Sequence, residues 1–234
     1  MNLRKLSSTL AFSSLCALLA FGLTAAAQTR GPLALDSILQ KLDEQARSFH
    51  SVSAKVERTK VTVVVNDRST DTGAIFIRGD KMLLRMDPPD ARTVLKTEDN
   101  LYVFNPGLER VEEYNLGKNR ALVDQFLLLG FGTPGKQLEK GYRIKSLGQP
   151  ALFDKRTVEL ELIPKSQRVL NQISKVDLWL DEATWLPVQQ EVYETGSGDY
   201  SIIHYSEVAR NAEIPDSKFK PHWPKGTVKV KPQG

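Results

Sequence analysis

Residues 71–106 read DTGAIFIRGDKMLLRMDPPDARTVLKTEDNLYVFNP. Four short runs rich in β-branched, aromatic and other apolar residues follow one another here, at 74–78, 81–87, 92–97 and 101–105. Gly79-Asp80, Pro88-Pro89-Asp90 and Glu98-Asp99-Asn100 separate them. These breaks supply turn chemistry: positive φ from Gly or Asn, fixed φ from Pro, side-chain-to-backbone bonds from Asp. Gaps this short leave no room for crossover helices, so neighbouring runs must pair antiparallel as an up-and-down meander. A sheet of this kind buries at least one face.

Working outward, residues 32–49 carry Leu35, Ile38, Leu39, Leu42, Ala46 and Phe49 on one helical stripe, with Asp36 placed to cap its start. Residues 51–65 form a long strand in which Val52, Ala54 and Val56 alternate with polar residues. Val61, Val63 and Val65 then continue in the opposite phase, which predicts a bulge at 58–60 or a strand end covered on both sides. Residues 66–70 read as the turn into the meander. Another strand follows at 110–115.

Residues 119–129 (NRALVDQFLLL) read as a helix that is apolar on nearly every side, ended by Gly130 and Gly132. Such a helix is either a piece of core or a lid over a lipophilic cavity. The chain then returns to strands at 142–147, 157–164, 175–181, 186–194 and 200–210, with hairpin turns at 181–184 and 196–199. About ten strands and two or three helices predict a mainly β, α+β domain: a large curved antiparallel sheet wrapping helices.

The chain of 234 residues is long enough for one domain with a real core, and its net charge of +4 gives no sign of nucleic-acid binding. Residues 1–27 read as an export signal: Arg4 and Lys5, an apolar run at 10–23, then Ala25-Ala26-Ala27 before Gln28. The apolar run is short for a membrane anchor, which needs about 20 residues. Its removal leaves a single domain at 28–234 with net charge +2. The only cysteine, Cys16, lies in the apolar run, and Leu15 before it breaks the small-residue rule of a lipid-attachment signal. The expected product is therefore exported, unanchored and without disulfides.

Chemistry-bearing patterns are scarce. His50, His204 and His222 lack zinc-ligand spacing, and there is no G-x-S-x-G elbow or phosphate-binding glycine loop. Glu159 with Glu161, and Glu191 with Glu194, read as solvated residues of half-exposed strands rather than acid/base pairs. Lys218, Lys220, Lys225, Lys229 and Lys231 make a basic, solvated C-terminal segment. The expectation is a protein that is not an enzyme, with no cofactor and no metal.

Several stretches together resemble the periplasmic outer-membrane lipoprotein carriers, the LolA-like family. They are Phe49-His50-Ser51 at the end of the amphipathic helix, Gly73-x-Ile75-Phe76-Ile77-Arg78, Pro88 after the third strand, and Leu101-Tyr102-x-Phe104-Asn105-Pro106. The closing segment adds Tyr205-x-x-Val208, Asn211, Ile214-Pro215, Phe219 and Pro224-Lys225-Gly226-Thr227. The resemblance implies an incomplete β-barrel whose mouth is covered by helices and whose cavity takes acyl chains of lipoproteins. It implies a monomeric carrier that ferries them from an inner-membrane ABC-type releasing complex to an outer-membrane receptor.

Well-known carriers of this family have a lid-fastening arginine directly before a proline after the second strand. Here that place is Gly79-Asp80, which leaves Arg78 as the residue offered for a lid latch, and Arg85 stands where those carriers have an aromatic. The departures fit a divergent member. The expected cavity wall is Val56, Ile75, Ile77, Leu83, Val94, Leu101, Val103, Leu160 and Leu178, with Phe126 and Leu127 on the lid. The competing readings are a lipid-binding sensor or regulator, or a carrier of a different lipid, on the same scaffold; an anchored receptor lacks its lipid-attachment signal. Amino-terminal sequencing of the protein from its native cell should find cleavage after Ala27 and a soluble product; an intact amino terminus in the membrane fraction contradicts the export reading.

Overall fold

A computed structural model describes residues 33–231. The export signal read in residues 1–27 lies outside them. The chain runs α1 (Leu35–Ala46), β1 (Ser51–Thr62), β2 (Asp67–Arg78), β3 (Lys81–Met86), β4 (Arg92–Lys96), β5 (Asn100–Asn105) and β6 (Arg110–Asn115). Two helices follow, α2 (Arg120–Leu127) and α3 (Gly135–Gly141). Then come β7 (Tyr142–Gly148), β8 (Ala151–Leu152), β9 (Lys155–Pro164), α4 (Gln167–Leu170), β10 (Ile173–Asp181), β11 (Pro187–Glu194), β12 (Tyr200–Arg210) and β13 (Val228–Val230). Among the described residues no helix is long and apolar enough to cross a membrane.

All 13 strands join one open sheet, ordered β13-β6-β5-β4-β3-β2-β1-β12-β11-β10-β9-β7, with β8 paired to β9. Its ends do not meet, so the barrel is incomplete, with helices on its concave side. Neighbours pair antiparallel except β13, which lies parallel to β6. The 71–106 meander forms as read, each strand pairing with the next across its short turn.

Three sequence readings need correcting. The β1–β2 ladder runs unbroken from Ser51 to Thr62; the register shift of β1 lies between Ser53 and Lys55, on its β12 side, not at 58–60. The change of phase has another cause: Arg58 occupies an inward position in line with Val56, while Val61 lies on the other face. Residues 67–70 belong to β2, because the chain reverses earlier, in a 3-10 turn at Val63–Val65 closed by Asn66 at φ 49°. Helix α1 starts behind Ala34 with no side-chain cap, and Asp36 sits in its first turn.

Alternation explains where the core sits. On the concave face, α1 lays Ile38, Leu39 and Leu42 on Val158, Leu160, Leu162, Val176, Leu178 and Leu180, all buried. A second cluster gathers Val52, Val56, Ile75, Ile77, Met82 and Met86 from β1–β3, with Phe131 and Tyr205 meeting edge-on at 5.0 Å. Gly132 (φ 68°) lies against the Phe49 ring, where an added Cβ would stand 2.1 Å from a ring carbon. This close approach ties the end of α1 to the turn after α2.

The opposite face of the meander is apolar too. Leu95, Tyr102, Phe104 and Val111 form a third cluster, covered by the C-terminal segment through Ile214, Phe219 and Trp223. Trp223 packs 5.2 Å from Phe104 and 5.9 Å from Tyr102. The basic end is thus anchored by its apolar residues, although Lys220, Lys225, Lys229 and Lys231 are exposed. Replacing the fully buried Leu178 with Ala should lower the unfolding free energy by about 2–5 kcal/mol in urea titrations. The same change at exposed Leu108 should move it by less than about 0.5 kcal/mol.

Candidate functional site

Between α2 and the sheet lies a cavity of about 190 Å³. Val56 and Arg58 of β1, Ile75 of β2, Met82, Leu84 and Met86 of β3, and Val94 of β4 line one side. Val176, Gln190, Val192, Ile203 and Tyr205 line another, and Phe126, Leu127 and Leu129 close it from the helix side. Two larger surface depressions, of about 540 and 450 Å³, are open troughs edged by polar and charged residues such as Arg78 and Glu213, or Asp43 and Lys136.

The strand registers settle which parity faces inward. Ile75 pairs with Leu84, Leu84 with Val94 and Val94 with Val103, so these share the cavity face. Of the wall residues expected from sequence, Val56, Ile75, Val94, Phe126 and Leu127 line the cavity. Ile77 is on the same face but fully buried beneath it, against Val52 and Met82. Leu101 and Val103 share the face as partners of Lys96 and Val94, outside the lining. Leu160 and Leu178 are filled over by α1. Leu83 pairs with Phe76 and Leu95 and so points the other way, into the cluster under the C-terminal segment.

Arg78 likewise lies on the convex face. Its guanidinium donates to the Ile214 carbonyl at 2.6 Å, pairs with Asp216 and lies 5.6 Å from the Phe219 ring centroid. It fastens the C-terminal segment, so the latch expected from it does not form there.

Helix α2 has no fully buried side chain; Leu122, Val123, Phe126 and Leu127 are all half-buried. Eight residues are too few for a helix to persist by itself in water. Tertiary contacts hold it. Lys96 of β4 is fully buried, and its ammonium lies 2.7 Å from an Asp124 carboxylate oxygen of α2. The angle of that contact falls short of a hydrogen bond. The Lys96 N–H groups donate instead to the Asp80 carbonyl at 2.5 Å and the Thr97 carbonyl at 3.2 Å. Arg120, at the start of α2, pairs with Asp80 and lies 3.6 Å from Glu98.

The far end of α2 is held by neutral bonds. Gln190 donates to the Leu129 carbonyl at 2.9 Å and Thr133 to the Leu128 carbonyl at 2.9 Å. The Tyr142 hydroxyl donates to the Gln125 carbonyl at 3.3 Å, and burial pushes its pKa up to about 12, so it remains a donor. Lys96 and Asp124 escaped the sequence reading. The available signal was a lysine at the inward parity of β4, two residues after Val94.

No protein-family model matches the chain, and no curated protein matches it in sequence. Solved structures are similar to it. An uncharacterized conserved protein from Thermus thermophilus superposes with TM-score 0.55 at 9% identity, over 84% of this chain and 98% of that one. The likeness is one of fold. A LolA superfamily protein from Nitrosomonas europaea aligns with TM-score 0.42 at 17% identity, over 81% of this chain and 98% of its own. LprF from Mycobacterium bovis aligns with TM-score 0.44 at 14% identity, over 80% and 99%.

Removing one partner of the Lys96–Asp124 pair should act unequally, because Lys96 is wholly buried and the Asp124 side chain is 19% exposed. Asp124→Asn strands a buried cation, a loss worth about 3–5 kcal/mol where nothing can move. Here α2 can lift instead. Amide exchange at 120–129 should therefore quicken at least tenfold while β9 and β10 stay protected. Lys96→Met should do less, and Lys96→Met with Asp124→Leu should restore most of the protection.

Proposed function

We propose that this protein is a periplasmic carrier that takes acyl chains of lipoproteins, or of a related lipid, into the cavity under α2. It would receive them from an inner-membrane ABC-type releasing complex and deliver them to an outer-membrane receptor. The observation that carries this reading is an apolar cavity roofed by a helix with no fully buried side chain. The sequence resemblance to the outer-membrane lipoprotein carriers and the export signal read in residues 1–27 support the transport role and its compartment.

The cavity's size bears on how cargo would enter. An engineered apolar cavity of about 150 Å³ holds a benzene molecule. At about 190 Å³ this one is only slightly larger, too small for a long acyl chain. Loading of a long chain would therefore require α2 to move. Each acyl methylene withdrawn from water contributes about 0.8 kcal/mol, so the wall needs little polar recognition. Withdrawal of α2 would expose the half-buried Phe126 and Leu127 to water at roughly 25 cal/mol per Å², unless cargo covers them.

Phe126→Glu puts a charge on the inner side of the cover. Titration with a fluorescent fatty-acid analogue should show affinity falling at least tenfold, with circular dichroism of the sheet unchanged. Unchanged loading together with a large fall in unfolding temperature would make α2 an ordinary piece of core and remove the carrier reading.

A further inference from the structure

Among the described residues the cavity wall holds one charged side chain. Arg58 stands at the inward position of β1 after Val56, opposite Asp71 of β2. Its Nη2 lies 2.5 Å from the Asp71 carboxylate, whose side chain is 4% exposed. Among the described residues its buried Nε has no partner. The other polar groups of the lining are already engaged: Gln190 donates to the Leu129 carbonyl and accepts from the Tyr205 hydroxyl at 3.2 Å. Leaving a buried N–H unmet is costly, and an acceptor on a ligand would recover that cost.

The nature of that acceptor follows from charge. Asp71 already neutralises the guanidinium, and the cavity lining contains no second base. A free carboxylate reaching Arg58 would lie beside a buried carboxylate and be repelled. An ester carbonyl offers lone pairs without charge. With its side chain 30% exposed, Arg58 stands at the rim, one inward position beyond Val56 towards the Val63–Val65 turn. An acyl tail lying along Ile75 and Met82 would bring its first carbon there.

We propose that the cavity selects ester-linked acyl chains over free fatty acids, with the ester carbonyl accepting from Arg58 Nε and Asp71 acting as the element that rejects carboxylates. This rests on the carrier reading above and narrows it to acylglycerol-type cargo.

The test compares two lipids with the same chain, 1-oleoylglycerol and oleate, by displacement of the uncharged dye Nile red from the mature chain at pH 8, below the aggregation point of either lipid. The glycerol ester should displace the dye at a concentration at least tenfold lower. Asp71→Asn should remove the rejection and improve oleate at least tenfold. The double variant Arg58→Leu with Asp71→Leu, which leaves no buried ion, should bind both lipids alike. Equal displacement by both lipids in the unaltered protein, or a preference that survives in the double variant, overturns this inference and leaves the carrier reading standing. Dye binding with no displacement by either lipid overturns the carrier reading and this inference with it.

Discussion

Lys96 has no exposure to water, and its charge is met from three directions: two carbonyls of its own meander and one carboxylate on α2. That ammonium, together with the Arg120–Asp80 pair, holds the short cover helix on the sheet. Removing the helix would leave the cation with two carbonyl dipoles, a poor exchange for a carboxylate at 2.7 Å. Removing the cation would leave an eight-residue helix with half-buried apolar groups and only neutral bonds at its far end. A helix so placed is fixed in register by charge rather than by depth of burial. It can seal a cavity without being part of the core.

The sheet tolerates a cavity because its stability is gathered elsewhere. Around β9 and β10, the side chains under α1 are fully buried and the face is filled solid. At the meander, the convex face is filled by the C-terminal segment, stapled through Arg78 and Trp223. The strands that form much of the cavity wall are therefore backed on one side or continued into close packing below, where Ile77 meets Val52 and Met82. An unfilled volume of about 190 Å³ is a liability in a core, since each missing contact goes unreplaced. Here it is confined to the place where packing on both flanks can bear it.

Much of this architecture was legible in sequence because turn chemistry is local. Gly79-Asp80, the Pro88-Pro89 turn and Glu98-Asp99-Asn100 placed the meander strands nearly to the residue. The residues that alternate at 158–162 and 176–180 form the face that α1 covers. What escaped were the short helix α3 and pairings between segments far apart in the chain: the parallel strand β13 and the convex-face cluster that takes Leu83 out of the wall. Period 2 says that Leu83 and Leu84 face opposite ways, but not that both faces are apolar. Arg58 and Lys96 escaped for a shared reason. Each breaks an inward apolar alternation, and the break after Val56 was read as a bulge or as a strand end covered on both sides. In both cases a charge faces inward on a regular ladder, its partner supplied by the neighbouring strand for Arg58 and by the cover helix for Lys96.

The separation of these two charges has a consequence for how cargo would leave. Arg58 lines the cavity, whereas Lys96, Asp80, Arg120 and Asp124 are outside its lining. A long acyl chain gains about 0.8 kcal/mol per methylene, far more than any partner could offset by competing for a few polar contacts. On the proposed carrier reading, release would come from moving the cover, which returns the cavity wall to a form the chain no longer fits. On that reading, the Arg120 end of α2 is where a partner would act. Arg120 and Asp80 are each about one-third exposed, and Glu98 and Asp99 beside them are mostly exposed. A basic surface that engaged these acids would compete for the groups holding α2 at its start while touching nothing that holds the acyl chain. Loading and unloading would then be governed by the free energy of one short helix, and the apolar wall could remain smooth.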